Sequence, residues 1–280
     1  MEDFGLRAGP AAVLLLEVIA LVWIGKKTVE ILARIRFDRE VAVKDNPAAG
    51  IALAGFYLAL FTALSGLFTE KADTLAREAL LTALHGAGAI AALLLSAGLW
   101  RPLVQVDFRK DILEGRNAGA ALVAAAALIA TGLVYRGAVH GQAENVALIA
   151  AFFAIGEGAL LLCFLLYEWM TPYDVYDEIA GRSNLAAALG SAGMVLASGL
   201  VIGNAVEGEF LGWETSIRDA FLYMTPVLAM PLVRVFIAGG MFMGFGRLTR
   251  EIVEDRNVAA GLVEGAAYVG IALFAVHLLA

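Results

Sequence analysis

Five ionisable side chains lie inside long apolar runs of this chain: Glu17, His85, Glu157, Arg234 and Glu264. A charge placed in hydrocarbon costs at least ~2.5 kcal/mol even on the mildest insertion scales, so such groups face protein or water and take partners. Glu157 falls thirteen residues past Glu144, and Arg234 fifteen past Asp219. At about 1.5 Å per helical residue each is roughly 20 Å along its run. The two runs point the same way, so the depths match and the two residues are expected to pair. The pair reads either as a bridge locking two helices or as a substrate or proton relay. Glu17 and His85 lie seven or eight residues into their runs from the outside face. They form a proton-accepting set that works near neutral pH, unless Glu17 snorkels outward from a shallow position. Glu264 follows Asn257 by seven residues.

A second constellation is written four times. An acidic residue is followed six positions later by Asn, then by small residues, then by a long apolar run. The copies are Glu40…Asn46, Asp111…Asn117, Glu178…Asn184 and Glu251…Asn257, with the Asn residues 71, 67 and 73 apart. Such a period means an internally repeated chain. In one reading each Asn caps the helix that follows, Pro47 suits a first helical turn, and the acidic residue is solvated. In the other, four helix N-termini gather around an axis and favour anions, or the acidic set forms a ring that attracts cations. The last two readings predict opposite ion preference.

The elements that carry these residues follow from composition. Apolar residues make up 61% of the chain, charged residues 17%, and mean hydropathy is +0.80. Soluble domains are nearer half apolar. The net charge of −7 forms no basic stripe, so no nucleic-acid partner is expected. Cys163 is alone, which excludes a disulfide framework. His85, His140 and His277 lack ligand spacing, so neither metal nor cofactor is expected. No His-Glu-x-x-His, Gly-x-Ser-x-Gly or Walker loop is present, and the chain is not expected to be an enzyme.

Eight apolar segments reach membrane length, at about 10–35, 46–69, 79–102, 117–137, 145–169, 184–206, 219–245 and 257–279. Backbone groups in lipid must bond internally, so these are helices. The expected fold is an all-α integral membrane bundle of eight spans, built as four hairpins. Glu2, Asp3 and Glu17 argue for a retained first span rather than a cleaved signal. Val29, Ile31, Leu32 and Ile35 extend it as an amphipathic stretch at the headgroups. The motif loops hold fourteen Lys and Arg against five on the other side. That places the motif loops in the cytoplasm and both termini outside.

A larger grain divides the chain at 1–140 and 141–280. Asn46 to Asn184 is 138 residues, while Asn117 to Asn257 and Glu17 to Glu157 are 140 each. Two four-span halves share one orientation, as parallel repeats about an axis along the membrane normal. Ala and Gly crowd the second helix of each hairpin, which predicts a tightly packed inner set. Pro226 and Pro231 break the seventh segment before Arg234, as a packing kink or as a discontinuous, site-forming helix.

The segments Asp45-Asn46-Pro47-Ala48-Ala49-Gly50-Ile51-Ala52-Leu53-Ala54-Gly55 and Arg256-Asn257-Val258-Ala259-Ala260-Gly261-Leu262 resemble the helix starts of the YjfL-like family of bacterial inner-membrane proteins. Ser183-Asn184-Leu185-Ala186 departs further from that pattern. The resemblance implies a four-span unit present twice and an inner-membrane location, and brings no established reaction. The functional expectation is passage of a small ion, proton or solute. The alternative is a membrane scaffold or stress-response partner whose basic stretch Lys26 to Lys44 docks a cytoplasmic protein or anionic lipid. The lipid bilayer is an expected partner, and the small-residue faces leave room for a second copy of the chain.

Overall fold

The computed structural model describes residues 2–69, 74–140, 142, 145–244 and 246–279. The helices are α1 (Glu2–Ala33), α2 (Phe37–Ala42), α3 (Pro47–Ser65), α4 (Leu75–Val104), α5 (Ala118–Val139), α6 (Val146–Met170), α7 (Leu185–Ala205), α8 (Trp213–Met224), α9 (Met230–Leu232), α10 (Arg247–Val253) and α11 (Val258–Leu279). Wider, π-helical turns cover Phe108–Glu114, Asp177–Gly181 and Val233–Met243. Among the described residues there is no strand, and seven helical runs are long and apolar enough to cross a membrane. α1, where the first span is expected, is not one of the seven. It ends at Ala33, so Ile35 lies beyond it.

The helices α3, α5, α7 and α11 pack side by side in that order, with α3 and α11 at the two ends. This is a row, and it replaces the expected arrangement about an axis. The physical reason is that each central helix carries small residues on two opposite sides. A Cβ on Gly55 would lie 2.3 Å from Ala125 Cβ, and one on Gly199 would lie 2.6 Å from the Ala130 backbone. Backbones therefore touch on both sides, and neighbours line up instead of closing. A second layer covers the grooves. α4 lies on α3 and α5, α6 on α5 and α7, and α8 with Val233–Met243 on α7 and α11. This layer turns Leu80, Leu162, Trp169 and Phe221 outward.

The four motif turns share one geometry. The residue before each Asn is left-handed, with φ of 48° at Asp45, 51° at Arg116, 53° at Ser183 and 48° at Arg256. That reversal brings the Asn N–H back onto the carbonyl of the acidic residue, at 3.0, 2.9, 2.8 and 2.8 Å along the chain. The six-residue spacing is thus the span of a helix end fused to a helix start. Each Asn Oδ1 accepts from the first free N–H groups, such as Ala48 and Ala49 at Asn46 and Ala120 at Asn117. Each of the first three Asn amides also donates onward to the next turn. Asn46 reaches the Ile112 and Leu113 carbonyls, Asn117 that of Ile179, and Asn184 that of Ile252. The four turns therefore form one line along the edge of the row where its four helices begin.

The acidic residues are not uniformly solvated, contrary to the capping reading. Glu40 and Glu178 are buried. Glu178 accepts from Asn184 Nδ2 at 2.7 Å and meets Arg182, while Glu40 accepts from Lys44. At Glu178 the Asn184 amide and the Arg182 side chain both converge on the carboxylate.

Asn117→Ala is expected to cost about 2–4 kcal/mol, being a lost cap together with an unpaired buried Ile179 carbonyl. Asn257, which among the described residues donates within its own turn, should lose the cap alone, about 1 kcal/mol. Unfolding of the two variants in mixed micelles compares them. Equal losses would rule out the onward bond as a stabilising contact.

Candidate functional site

The seventh apolar run is the irregular one. α8 gives way to a tight turn at Thr225–Ala229 that contains Pro226, then to α9 with Pro231, then to the wide turn Val233–Met243. Proline lacks the N–H that the ladder needs and clashes with the carbonyl four residues back. Wide turns of this kind re-aim side chains. The run begins at Trp213, not at Asp219, so Arg234 is twenty-one residues in. Glu157 is only eleven residues into α6. The expected match of depths fails, and the two do not form the expected pair.

Arg234 instead binds Glu264 of α11. Nη1 donates to Oε1 at 2.6 Å, and Nη2 donates to Thr249 Oγ1 of α10 at 3.4 Å. Glu264 is 0% exposed and Arg234 8%. The carboxylate occupies a slot that Gly190 of α7 leaves open, where a Cβ would lie 2.5 Å from Oε2. That oxygen has no hydrogen-bond partner among the described residues. The guanidinium stands over the Tyr173 ring, 5.3 Å from its centroid, a favourable cation–π arrangement. Tyr173 lies beyond the end of α6, and burial pushes its phenol up, so it stays neutral. Tyr167 and Tyr268 meet edge to face at 6.2 Å, and Ser191 donates to the Tyr167 hydroxyl at 3.3 Å.

A cavity of about 400 Å³ opens beside the pair. Its inner wall includes Arg234, Tyr167, Tyr268 and Thr171, and its outer wall Leu228 and Val235, which are exposed on the outer layer. A mostly apolar hollow with a few converging polar groups is the usual form of a small-molecule site.

The other intramembrane residues lie elsewhere. Glu157 sits where α4, α5 and α6 meet. Its Oε1 accepts from Ser96 at 2.7 Å, Trp100 Nε1 at 3.2 Å and Thr131 at 3.3 Å. Glu17 and His85 belong to the contact between α1 and α4. Leu21, one turn after Glu17, presses on Gly86, where a Cβ would lie 2.4 Å from Leu21 Cδ1. His85 is buried and its carbonyl accepts from the Tyr135 hydroxyl at 3.1 Å. The five residues thus occupy three places, and Arg234 and Glu264 meet in an ion pair. In the Asn set each Oδ1 accepts from N–H groups at the start of its own helix, as the capping reading expects.

Tyr167, Tyr173, Tyr268 and Thr249 join the site without any sequence forecast. Tyr268 is four residues past Glu264, one helical turn on the same face, and was legible on that ground. Tyr167 and Tyr173 come from a different hairpin and carry no such signal.

Comparison with known proteins adds family but no chemistry. The family described as Domain of Unknown Function (DUF350) matches residues 4–139 and, a second time, residues 141–279. A UPF0719 transmembrane protein of Aquifex aeolicus (strain VF5) is 24% identical over 265 residues, covering 90% of this chain and 94% of that protein. No solved structure matches significantly.

Proposed function

We propose a role in solute passage for this chain, which belongs to the DUF350 family and holds two copies of its domain. It is a multi-pass membrane protein. In our reading α1 supplies an eighth span, the motif turns face the cytoplasm, and the membrane is a bacterial inner membrane. The excess of Lys and Arg near the motif turns supports that orientation.

The cargo is a small, partly apolar anion that moves with a proton, at Arg234 and Glu264. The observation that carries this is the buried Arg234–Glu264 pair beside a cavity in a broken helix, with one Glu264 oxygen lacking a hydrogen-bond partner among the described residues. An anion that takes the guanidinium leaves Glu264 as a buried carboxylate without its cation. Such a group takes up a proton. One anion and one proton then enter together, and no net charge is buried. The reading is one of binding and passage, without covalent chemistry.

Purified protein in liposomes tests it, with an acetate gradient and a trapped pH dye. Wild-type protein should move acetate and protons together, beyond the leak of protein-free vesicles. Arg234→Ala should abolish both fluxes. Glu264→Gln should abolish proton movement while acetate exchange persists. Absence of protein-dependent flux under any gradient sinks the proposal.

The rival reading is a scaffold, favoured by the row itself, whose central helices meet backbone to backbone. Its docking stretch is weakened, however. Lys26 binds Asp38 and Glu30, Lys27 binds Glu30, and Lys44 binds Glu40. The Lys26 ammonium also holds the Asp38 carboxyl below its ordinary range. Lysines already paired within the chain have less to offer a cytoplasmic protein. A scaffold would show no flux but would retain a partner in pull-down.

A further inference from the structure

Positions counted from the Asn of each turn expose a common register in the row. At two junctions the residue two past Asn meets the residue four past Asn: a Cβ on Gly119 would lie 3.0 Å from Ala188 Cβ, and one on Gly261 would lie 2.2 Å from Ala186 O. The ninth position meets the eighth, as Gly55 with Ala125 and Gly193 with Gly265. The thirteenth meets the fifteenth, as Ala59 with Gly132 and Ala130 with Gly199. Each central helix therefore has a forward stripe and a backward stripe.

Both end helices present the same stripes with none of the described residues packed over them. The forward stripe of α11 is Ala259, Ala266 and Gly270, all exposed. The backward stripe of α3 is Gly50, Ala54 and Phe61, of which Ala54 and Phe61 are exposed and Gly50 has open space before it. The hydrogen-bond line stops at the same two places. Asn257 donates to Glu251 of its own turn, while the other three Asn amides reach onward. At the opposite end Val41 holds the position of Ile112, Ile179 and Ile252. It is 37% exposed, against 1%, 3% and 0% for the others. The second layer agrees. α4, α6 and the run from α8 through Val233–Met243 each lie in a groove between their own inner helix and the one before it, whereas α1 lies on α3 with no earlier inner helix beside it.

We infer that a second copy of this chain continues the row, α11 of one copy against α3 of the next. The occupant is a second copy because the open stripes, the donor Asn257 and the exposed Val41 match the surface that the chain's own repeats cover at three junctions. Gly270 then faces Phe61, and a glycine there leaves room for the ring. Asn257 Nδ2 reaches the Val41 carbonyl of the next copy, and α1 of that copy gains the other wall of its groove. One surface meets a different surface, so the contact is heterologous and builds rings or open rows. This inference does not rest on solute passage.

Cysteine crosslinking in native membranes tests it, in a Cys163→Ala background with two differently tagged chains. Ala54→Cys and Ala266→Cys occupy the eighth and ninth positions that meet within the row. Oxidation should link the Ala54→Cys chain to the Ala266→Cys chain, and neither variant to itself. Gly270→Leu should cut that product about tenfold or more, the effect of one overpacked contact. It points away from the chain's own core, so unfolding should be unchanged. A product from Ala266→Cys alone means tail-to-tail pairing and overturns the inference. So does no intermolecular product, or one indifferent to Gly270→Leu.

Discussion

Arg234→Ala is expected to destabilise the folded chain by about 3–5 kcal/mol, because it strands a buried carboxylate. The carboxylate is wholly buried, and one of its oxygens faces the Gly190 slot. Removing both charges should behave differently. Arg234→Met with Glu264→Leu keeps the volume and removes the stranded charge, so most of the loss should be recovered. Glu264→Gln should fall between them, since an amide oxygen still accepts from Nη1. Reversible unfolding in mixed micelles measures all three. A loss below about 1 kcal/mol for Arg234→Ala would mark the pair as no stronger than an exposed ion pair. A double variant as unstable as the single one would show that packing, not charge, is at stake. The double variant also separates roles, because it should fold well and carry no solute.

Gly137→Val should have the next largest effect. A Cβ at Gly137 would lie 1.9 Å from the Gly203 carbonyl oxygen, and at Gly203 one would lie 2.6 Å from the Leu133 carbonyl oxygen. Backbone cannot swing aside as a side-chain tip can, so α5 and α7 must separate. That contact joins the first DUF350 copy to the second. Overpacking of this kind costs about 3 kcal/mol or more, and the yield of monodisperse protein should collapse. The control is Gly158→Ala, where nothing lies within 4 Å. It should be neutral or gain up to about 1 kcal/mol from helix propensity. If both variants unfold alike, close approach between the halves does not stabilise the row.

The residues explain which features were legible before folding. Runs such as Val146–Met170 announce helices in lipid by length alone. The fourfold Asn motif was visible because its bonds are local: the carbonyl it binds is six residues back. The resemblance in the segments after Asn46 and Asn257 was correct as to family. Crowded Ala and Gly correctly marked α3, α5, α7 and α11 as helices that approach closely.

Row or ring was not legible. A stripe facing an axis and a stripe facing a neighbour have the same 3.6-residue period, and only the angle between two stripes on one helix tells them apart. The partner of Arg234 was hidden for another reason. Counting depth assumes a regular helix from a known start, and the seventh run starts six residues early and changes its pitch twice. Local hydrogen bonding and hydropathy therefore decided the elements, the repeat and the bilayer as solvent. Tertiary packing alone chose Glu264 for Arg234, buried Glu178, and left α3 and α11 apart, because those outcomes depend on distances between residues far apart along the chain.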